Sequence, residues 1–143
     1  MGCDMWFQQQ VRLGSRRRGL HDITAQVVEV VRASGVRIGL CHAFLQHTSA
    51  ALVIQENADP DVLEDLQDWF LRAAVDGDPR YRHTAEGPDD MSAHIRSALT
   101  QSSLQVPITD GGLALGTWQG IYLFEHRLAA HARQLVVTVQ GDA

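Results

Sequence analysis

The sequence predicts a single α+β domain of mostly antiparallel strands with two to three helices. Three observations predict it. The chain has 143 residues, the ordinary size of one domain around one core, and 45% of them are apolar. Apolar residues recur at helical spacing in some segments and alternate with period two in others, with no regular strand–helix alternation. The last third consists of short strand-like runs separated by hairpin-length gaps. We find no internal repeat, low-complexity tract or linker, so residues 1–143 form one domain.

Each element has a local reason. Residues 5–13 read as a first strand that turns in a loop at 14–19. The Arg16-Arg17-Arg18 run of that loop is expected to be solvated. From Asp22, the residues Ile23, Val27, Val30 and Val31 mark one buried helix face, and Gly35 is the stop. Val36, Ile38, Leu40, His42 and Phe44 alternate with Arg37, Gly39, Cys41 and Ala43, as in a strand running toward His47. Residues 51–55 read as another short strand. Asp59-Pro60 starts a helix, because Asp59 can cap free amides and proline needs no amide partner at the first position. Val62, Leu63, Leu66, Trp69, Phe70 and Ala73 form its apolar stripe. A loop rich in glycine, proline and aspartate covers 77–89, and Met91, Ile95, Ala98 and Leu99 mark a second amphipathic helix. Strands are expected at 104–108, 113–115, 120–125 and 134–140, with a turn at Asp110-Gly111-Gly112.

Composition narrows function. The formal net charge is -5, which argues against nucleic acid as the main partner. No GxGxxG or P-loop pattern occurs, which disfavours a dinucleotide or ordinary nucleotide site. The first residues lack the charge and apolar run of a signal peptide, and no apolar run approaches 18 residues, so no membrane role is expected. Cys3 and Cys41 fit no metal or redox spacing and read as reduced thiols of a cytoplasmic protein.

The chemistry-bearing residues are histidines and carboxylates. His47 ends a strand, where side chains leave the sheet for a cleft. His83 lies in the loop leading into the helix that carries His94. Asp90 and His94 stand four apart and share a helix face. Imidazoles from a strand end, a loop and a helix, with one carboxylate, could hold a divalent ion. Imidazole favours zinc or another transition ion, whereas carboxylates alone would favour magnesium. Asp89 and Asp90 also suit a helix start, where the dipole favours negative charge. Asn57 has no structural explanation and could orient a ligand. Trp118 and Gln119, in a glycine-rich loop, could stack on a flat ring and hydrogen-bond it. Arg127 and Arg133 are candidates for a phosphate. On the strand before them, Glu125 and His126 alternate, so one of them must face the core.

Four segments carry a family resemblance: His47-Thr48-Ser49-Ala50-Ala51; Glu56-Asn57-Ala58-Asp59-Pro60; His83 with the stretch from Gly87 to His94; and Leu115-Gly116-Thr117-Trp118-Gln119-Gly120-Ile121-Tyr122. In this order and spacing they resemble the YjbQ-like family, whose members are often called secondary thiamine-phosphate synthases. The resemblance covers residues 6–141. It implies a YjbQ-like fold with a β-sandwich-like core, a homotrimer, and a polar cleft near the subunit contact. It implies site residues His47, His83 and His94. The implied activity joins a pyrimidine diphosphate to a thiazole phosphate, which calls for a divalent ion and cationic groups on the leaving diphosphate.

Three readings stay open. One is a metal-assisted transferase or related enzyme acting on a phosphate- or diphosphate-bearing small molecule. The second is a non-catalytic homotrimeric module that binds a metal or anion. The third is a structural trimer whose histidines only satisfy polar bonds.

Overall fold

The computed structural model describes residues 4–143; the Cys3 expectation lies outside them. The chain runs β1 (Met5–Arg16), β2 (Gly19–Asp22), α1 (Thr24–Ser34), β3 (Ile38–Leu45), β4 (Ala50–Glu56), α2 (Pro60–Ala73), α3 (Asp90–Leu99), β5 (Ser103–Thr109), β6 (Gly112–Leu113), β7 (Gln119–Glu125) and β8 (His131–Asp142). Two antiparallel sheets form, with strand orders β1-β8-β3-β5-β6 and β2-β7-β4. The expected α+β class with a sandwich-like core is therefore what the chain adopts. No helix among the described residues is long and apolar enough to cross a membrane.

The helices begin and end where local chemistry directs. Asp22 accepts the Thr24 amide at 2.9 Å, and Gly35 closes α1 with φ 71°, a left-handed conformation that costs glycine little. Asp59 accepts the Asp61 amide at 3.0 Å, as its capping role requires.

One core lies between the sheets. Cys41, Ala43, Leu45, Leu135 and Val137 of the large sheet meet Leu52, Ile121 and Leu123 of the small one, with Val27, Val30 and Val31 of α1 completing it. Cys41 is a buried thiol whose pKa burial pushes up to about 11, so it packs as a small apolar group. The outer face of the small sheet is covered by α2 and α3, where Phe70 meets Phe124 edge-on at 5.3 Å.

Three expectations change, and the inner face of β3, which the sequence left open, is decided. The strand β1 runs on to Arg16 through an irregularity, and 19–22 is an added strand, so the loop shrinks. Arg18 is not solvated: it forks onto Asp76 at 2.8 and 3.1 Å and onto the His126 carbonyl. In β3 the smaller residues Cys41 and Ala43 face the core, while Ile38, Leu40 and Phe44 lie outside with Trp6. Alternation alone could not choose the inner face, because both faces of β3 carry apolar residues. In α3 the buried residues are Asp90, Ser92, Ala93 and Arg96 rather than an apolar stripe. Arg96 is 2% exposed and bonds the carbonyls of Ala74 and His126 and the carboxylate of Asp76. A polar network, not apolar area, anchors this helix.

Candidate metal centre

The start of α3 sits between the 77–89 loop and the segment after β7. Asp90 is 5% exposed there. Its Oδ1 accepts from Arg127 Nη1 at 2.8 Å, and its Oδ2 faces two imidazoles: His83 Nε2 at 2.6 Å and His94 Nε2 at 3.1 Å. The two rings lie 5.4 Å apart between centroids. Helical geometry makes the Asp90–His94 contact, and the preceding loop folds His83 back onto the same oxygen.

The proton on His94 is fixed by its other partner. His94 Nδ1 lies 3.0 Å from the Thr48 carbonyl, which can only accept. Nδ1 therefore carries a hydrogen, and in the neutral ring Nε2 presents a lone pair. A lone pair 3.1 Å from a carboxylate oxygen is repulsive unless a proton or a cation lies between them. Metal-ligating histidines commonly donate one ring N–H to a backbone carbonyl in this way, which leaves the other nitrogen free to bind an ion.

Among the described residues, His83, Asp90 and His94 alone form a set able to hold an ion, their ligand atoms all within 4.8 Å of one another. Tetrahedral ligands at roughly 2.0–2.1 Å from zinc stand about 3.3–3.4 Å apart, so the His83–Asp90 and His94–Asp90 contacts, at 2.6 and 3.1 Å, would both need to widen, the first by less than about 1 Å and the second by about 0.3 Å. His83 is part-exposed on a loop and can move that far. Burial alone would raise the Asp90 pKa, but the hydrogen bond from His83 and the charge of Arg127 outweigh it and hold the carboxyl below its ordinary value.

His47 is not part of this set. Its Nε2 accepts the Gln134 amide at 2.8 Å, which ties the ring to the end of β8. It does line, with Thr48, His94, Ser97, Thr100 and Ser102, an open cleft of about 420 Å³ beside α3. Of the three histidines expected to converge, two meet on Asp90 and the third stands on the wall of the adjoining cleft.

The expected phosphate-binding arginines are otherwise engaged. Arg133 is 4% exposed and forks onto Glu125, itself fully buried, with Nε–Oε2 2.6 Å and Nη2–Oε1 2.5 Å; it also bonds Ser49. Arg127 joins Asp89, Asp90 and the Glu86 carbonyl, so its role is to tie the 77–89 loop to α3. Its pKa is raised, first by the hydrogen bond with Asp89. Asp89 spends its carboxylate on Arg127 and the Leu128 amide rather than on capping the helix.

The expected ring-binding residues lie elsewhere. In the β4–β7 ladder, Ala50 pairs with Glu125 at one end and Glu56 with Gln119 at the other. Six residues of strand separate Trp118 and Gln119 from the histidine end, roughly 20 Å. Asn57 bridges the Thr117 and Gln119 carbonyls at 3.1 and 3.3 Å, and Gln119 accepts the Gly116 amide at 2.7 Å, so both shape this loop. Trp118 is 63% exposed at its tip. Within one chain, Asn57, Trp118 and Gln119 do not share a site with His83, Asp90 and His94.

Sequence reasoning missed the Thr48 carbonyl, the Gln134 amide and the hydroxyls of Ser97, Thr100 and Ser102. Backbone groups carry no residue signature, and isolated serines and threonines carry a weak one.

The family model described as "UPF0047 protein YjbQ-like" matches residues 9–142, and the chain belongs to that family. The chain is 50% identical over 135 residues to the UPF0047 protein sll1880 of Synechocystis sp., covering 94% of this chain and 92% of that one. It is 42% identical over 139 residues to the UPF0047 protein YjbQ of Escherichia coli O157:H7, covering 96% of this chain and 100% of the relative. Among solved structures, a YbjQ-like protein of unknown function from Sulfolobus solfataricus P2 superposes with a TM-score of 0.87 at 26% identity, covering 98% of this chain and 100% of that one.

Proposed function

We propose that this chain is a metal-assisted enzyme of the secondary thiamine-phosphate synthase type, acting on a phosphate- or diphosphate-bearing small molecule, with one divalent ion held by His83, Asp90 and His94. The observation that carries this reading is the meeting of the His94 Nε2 lone pair with Asp90 Oδ2, which only a proton or a cation can make favourable. Two imidazoles and one carboxylate favour zinc over magnesium. Three protein ligands beside an open cleft fit a catalytic rather than a closed structural site. The ion would supply the positive charge that a phosphoryl oxygen needs, a role the bound arginines leave open.

The chain's own residues supply the rest. Arg127 holds Asp90 ionised and in place, the Thr48 carbonyl sets the His94 tautomer, and the cleft gives a small molecule room beside them. The proposal includes a homotrimer. It is supported by the outer face of the large sheet, where Trp6, Ile38, Leu40 and Phe44 are 69%, 68%, 46% and 44% exposed.

Metal analysis of untagged protein after dialysis against buffered zinc tests the ion, with one ion per chain expected and none in His83→Ala or His94→Ala. Pyrophosphate release from a pyrimidine diphosphate and a thiazole phosphate tests the reaction. Absence of a stoichiometric ion overturns the metal reading, and an ion without turnover selects a non-catalytic binding module. Light scattering at micromolar concentration tests the trimer, and a monomer removes it.

A further inference from the structure

We propose that His47 is a neutral hydrogen-bond donor for an acceptor oxygen of the ligand in the cleft beside α3, and neither a metal ligand nor a base. This inference rests on the phosphate-ligand reading above and gives His47 a different role from His83 and His94.

The argument starts from the Gln134 amide. A backbone N–H can only donate, and it lies 2.8 Å from His47 Nε2. Nε2 must therefore be unprotonated. The Gln46 amide bonds the Gln134 carbonyl at 3.1 Å just beforehand, so the imidazole takes over as the acceptor where the β3–β8 ladder runs out. The neutral ring must then carry its hydrogen on Nδ1. With Nε2 engaged and Nδ1 protonated, no lone pair remains for a metal or a substrate proton. The charged form would need Nε2 to release the Gln134 amide. Burial first, and the nearby charge of Arg133 second, also lower the His47 pKa, with Glu125 opposing them.

Nδ1 makes no hydrogen bond among the described residues, and His47 lines the cleft that also contains His94. Among the described residues no arginine lines that cleft, and the chain has no lysine. Ser97 and Thr100 spend their hydroxyl hydrogens on the carbonyls of Ala50 and Arg96. A ligand with acceptor oxygens thus finds few donors there, and a neutral imidazole with its tautomer locked by the backbone is one of them. Such a donor stabilises negative charge on the ligand without bringing a proton that the ligand could take away.

Two measurements test this on the whole protein. Long-range 15N–1H correlation on the metal-free chain at pH 7 is expected to show His47 as the neutral Nδ1–H tautomer. An Nε2–H tautomer or an imidazolium overturns the proposal, whatever the protein's affinity for metal. The second arm uses protein carrying one zinc per chain, with inorganic phosphate as probe, followed by calorimetry. His47→Ala is expected to retain zinc and to bind phosphate about tenfold more weakly or worse, the loss of one hydrogen bond to a charged acceptor. His47→Asn, whose amide nitrogen stands where Nδ1 does, is expected to recover most of that loss. Loss of zinc in His47→Ala makes His47 a ligand and overturns the proposal, as does a His47→Asn variant no better than His47→Ala. A wild-type chain that takes no zinc at all sinks the metal reading instead, and the tautomer then decides the role of His47 by itself.

Discussion

Arg127 holds Asp90 by one oxygen only: its Nη1 lies 2.8 Å from Oδ1, leaving Oδ2 to His83 and His94. One carboxylate is thereby split between a structural partner and the candidate metal centre. After the His83 hydrogen bond, the arginine's charge helps hold the Asp90 carboxyl below its ordinary value, and it fixes the direction of the second oxygen, while Asp89 and the Glu86 carbonyl fix the arginine. Arg127→Met is expected to weaken zinc binding by about 10–100-fold, the usual cost of losing a group that orients a ligand. It should also lower the melting temperature, because two buried carboxylates lose their cation. Zinc titration and calorimetry read the two effects separately, and unchanged affinity would show that Asp90 needs no support.

The spatial split between the two ends of the small sheet gives a paired prediction. His83→Ala removes one of three ligand atoms and should abolish stoichiometric zinc binding with little change in fold, since the side chain is part-exposed on a loop. Trp118→Ala should leave zinc affinity unchanged, because roughly 20 Å of strand lies between. Dialysis followed by metal analysis of both variants decides the matter. A Trp118→Ala chain that loses zinc while staying folded would mean that the two ends meet in an assembly.

His126 makes stability depend on pH. It is 1% exposed, neither ring nitrogen has a partner among the described residues, and its ring packs 4.4 Å from that of Phe124. Burial first, then the charges of Arg96, Arg18 and Arg133, push its pKa down to about 3. Below an unfolded value near 6.5 the unfolded chain binds a proton that the folded chain refuses. Stability therefore falls as pH drops from about 6.5 toward about 3, by at most about 1.4 kcal/mol per unit from this group. Urea unfolding across that range should show the slope reduced in His126→Phe, which keeps a ring against Phe124 and has nothing to protonate. The same slope in both proteins would falsify the assignment.

Arg133 was expected to bind phosphate, but its guanidinium closes on a fully buried Glu125. Removing one member of a buried pair strands the other charge. Arg133→Met should cost about 3–5 kcal/mol of stability. Chemical denaturation measures that, and a loss below about 1 kcal/mol would mean that water reaches Glu125. If the variant folds, its zinc affinity should match the wild type, because Arg133 touches none of the three ligand residues.

Much of the fold was legible in the sequence because its signals are local. Asp59-Pro60 capped a helix, Gly35 stopped one, and period-two alternation marked the late strands. Each depends on residues within one turn or one pleat of one another. The Asp90–His94 half of the candidate site was legible for the same reason, since four residues of helix place two side chains on one face.

Residue types and their spacing were enough for the class of fold, the family, the limits of α1 and α2, and the helical half of the candidate ion site. The packing of the sheets and helices chose which face of β3 points inward, anchored α3 through Arg96, and gave Arg133 to Glu125. It also decided that His83 joins Asp90 while His47 turns to the Gln134 amide, and that Trp118 ends up at the far end of the strand from the histidines. The physical reason is the same throughout. These outcomes depend on which distant backbone carbonyl or amide, such as Thr48 or Gln134, comes within hydrogen-bond reach. Every residue carries those groups, so no residue type announces them, and only the packing of the two sheets selects among them.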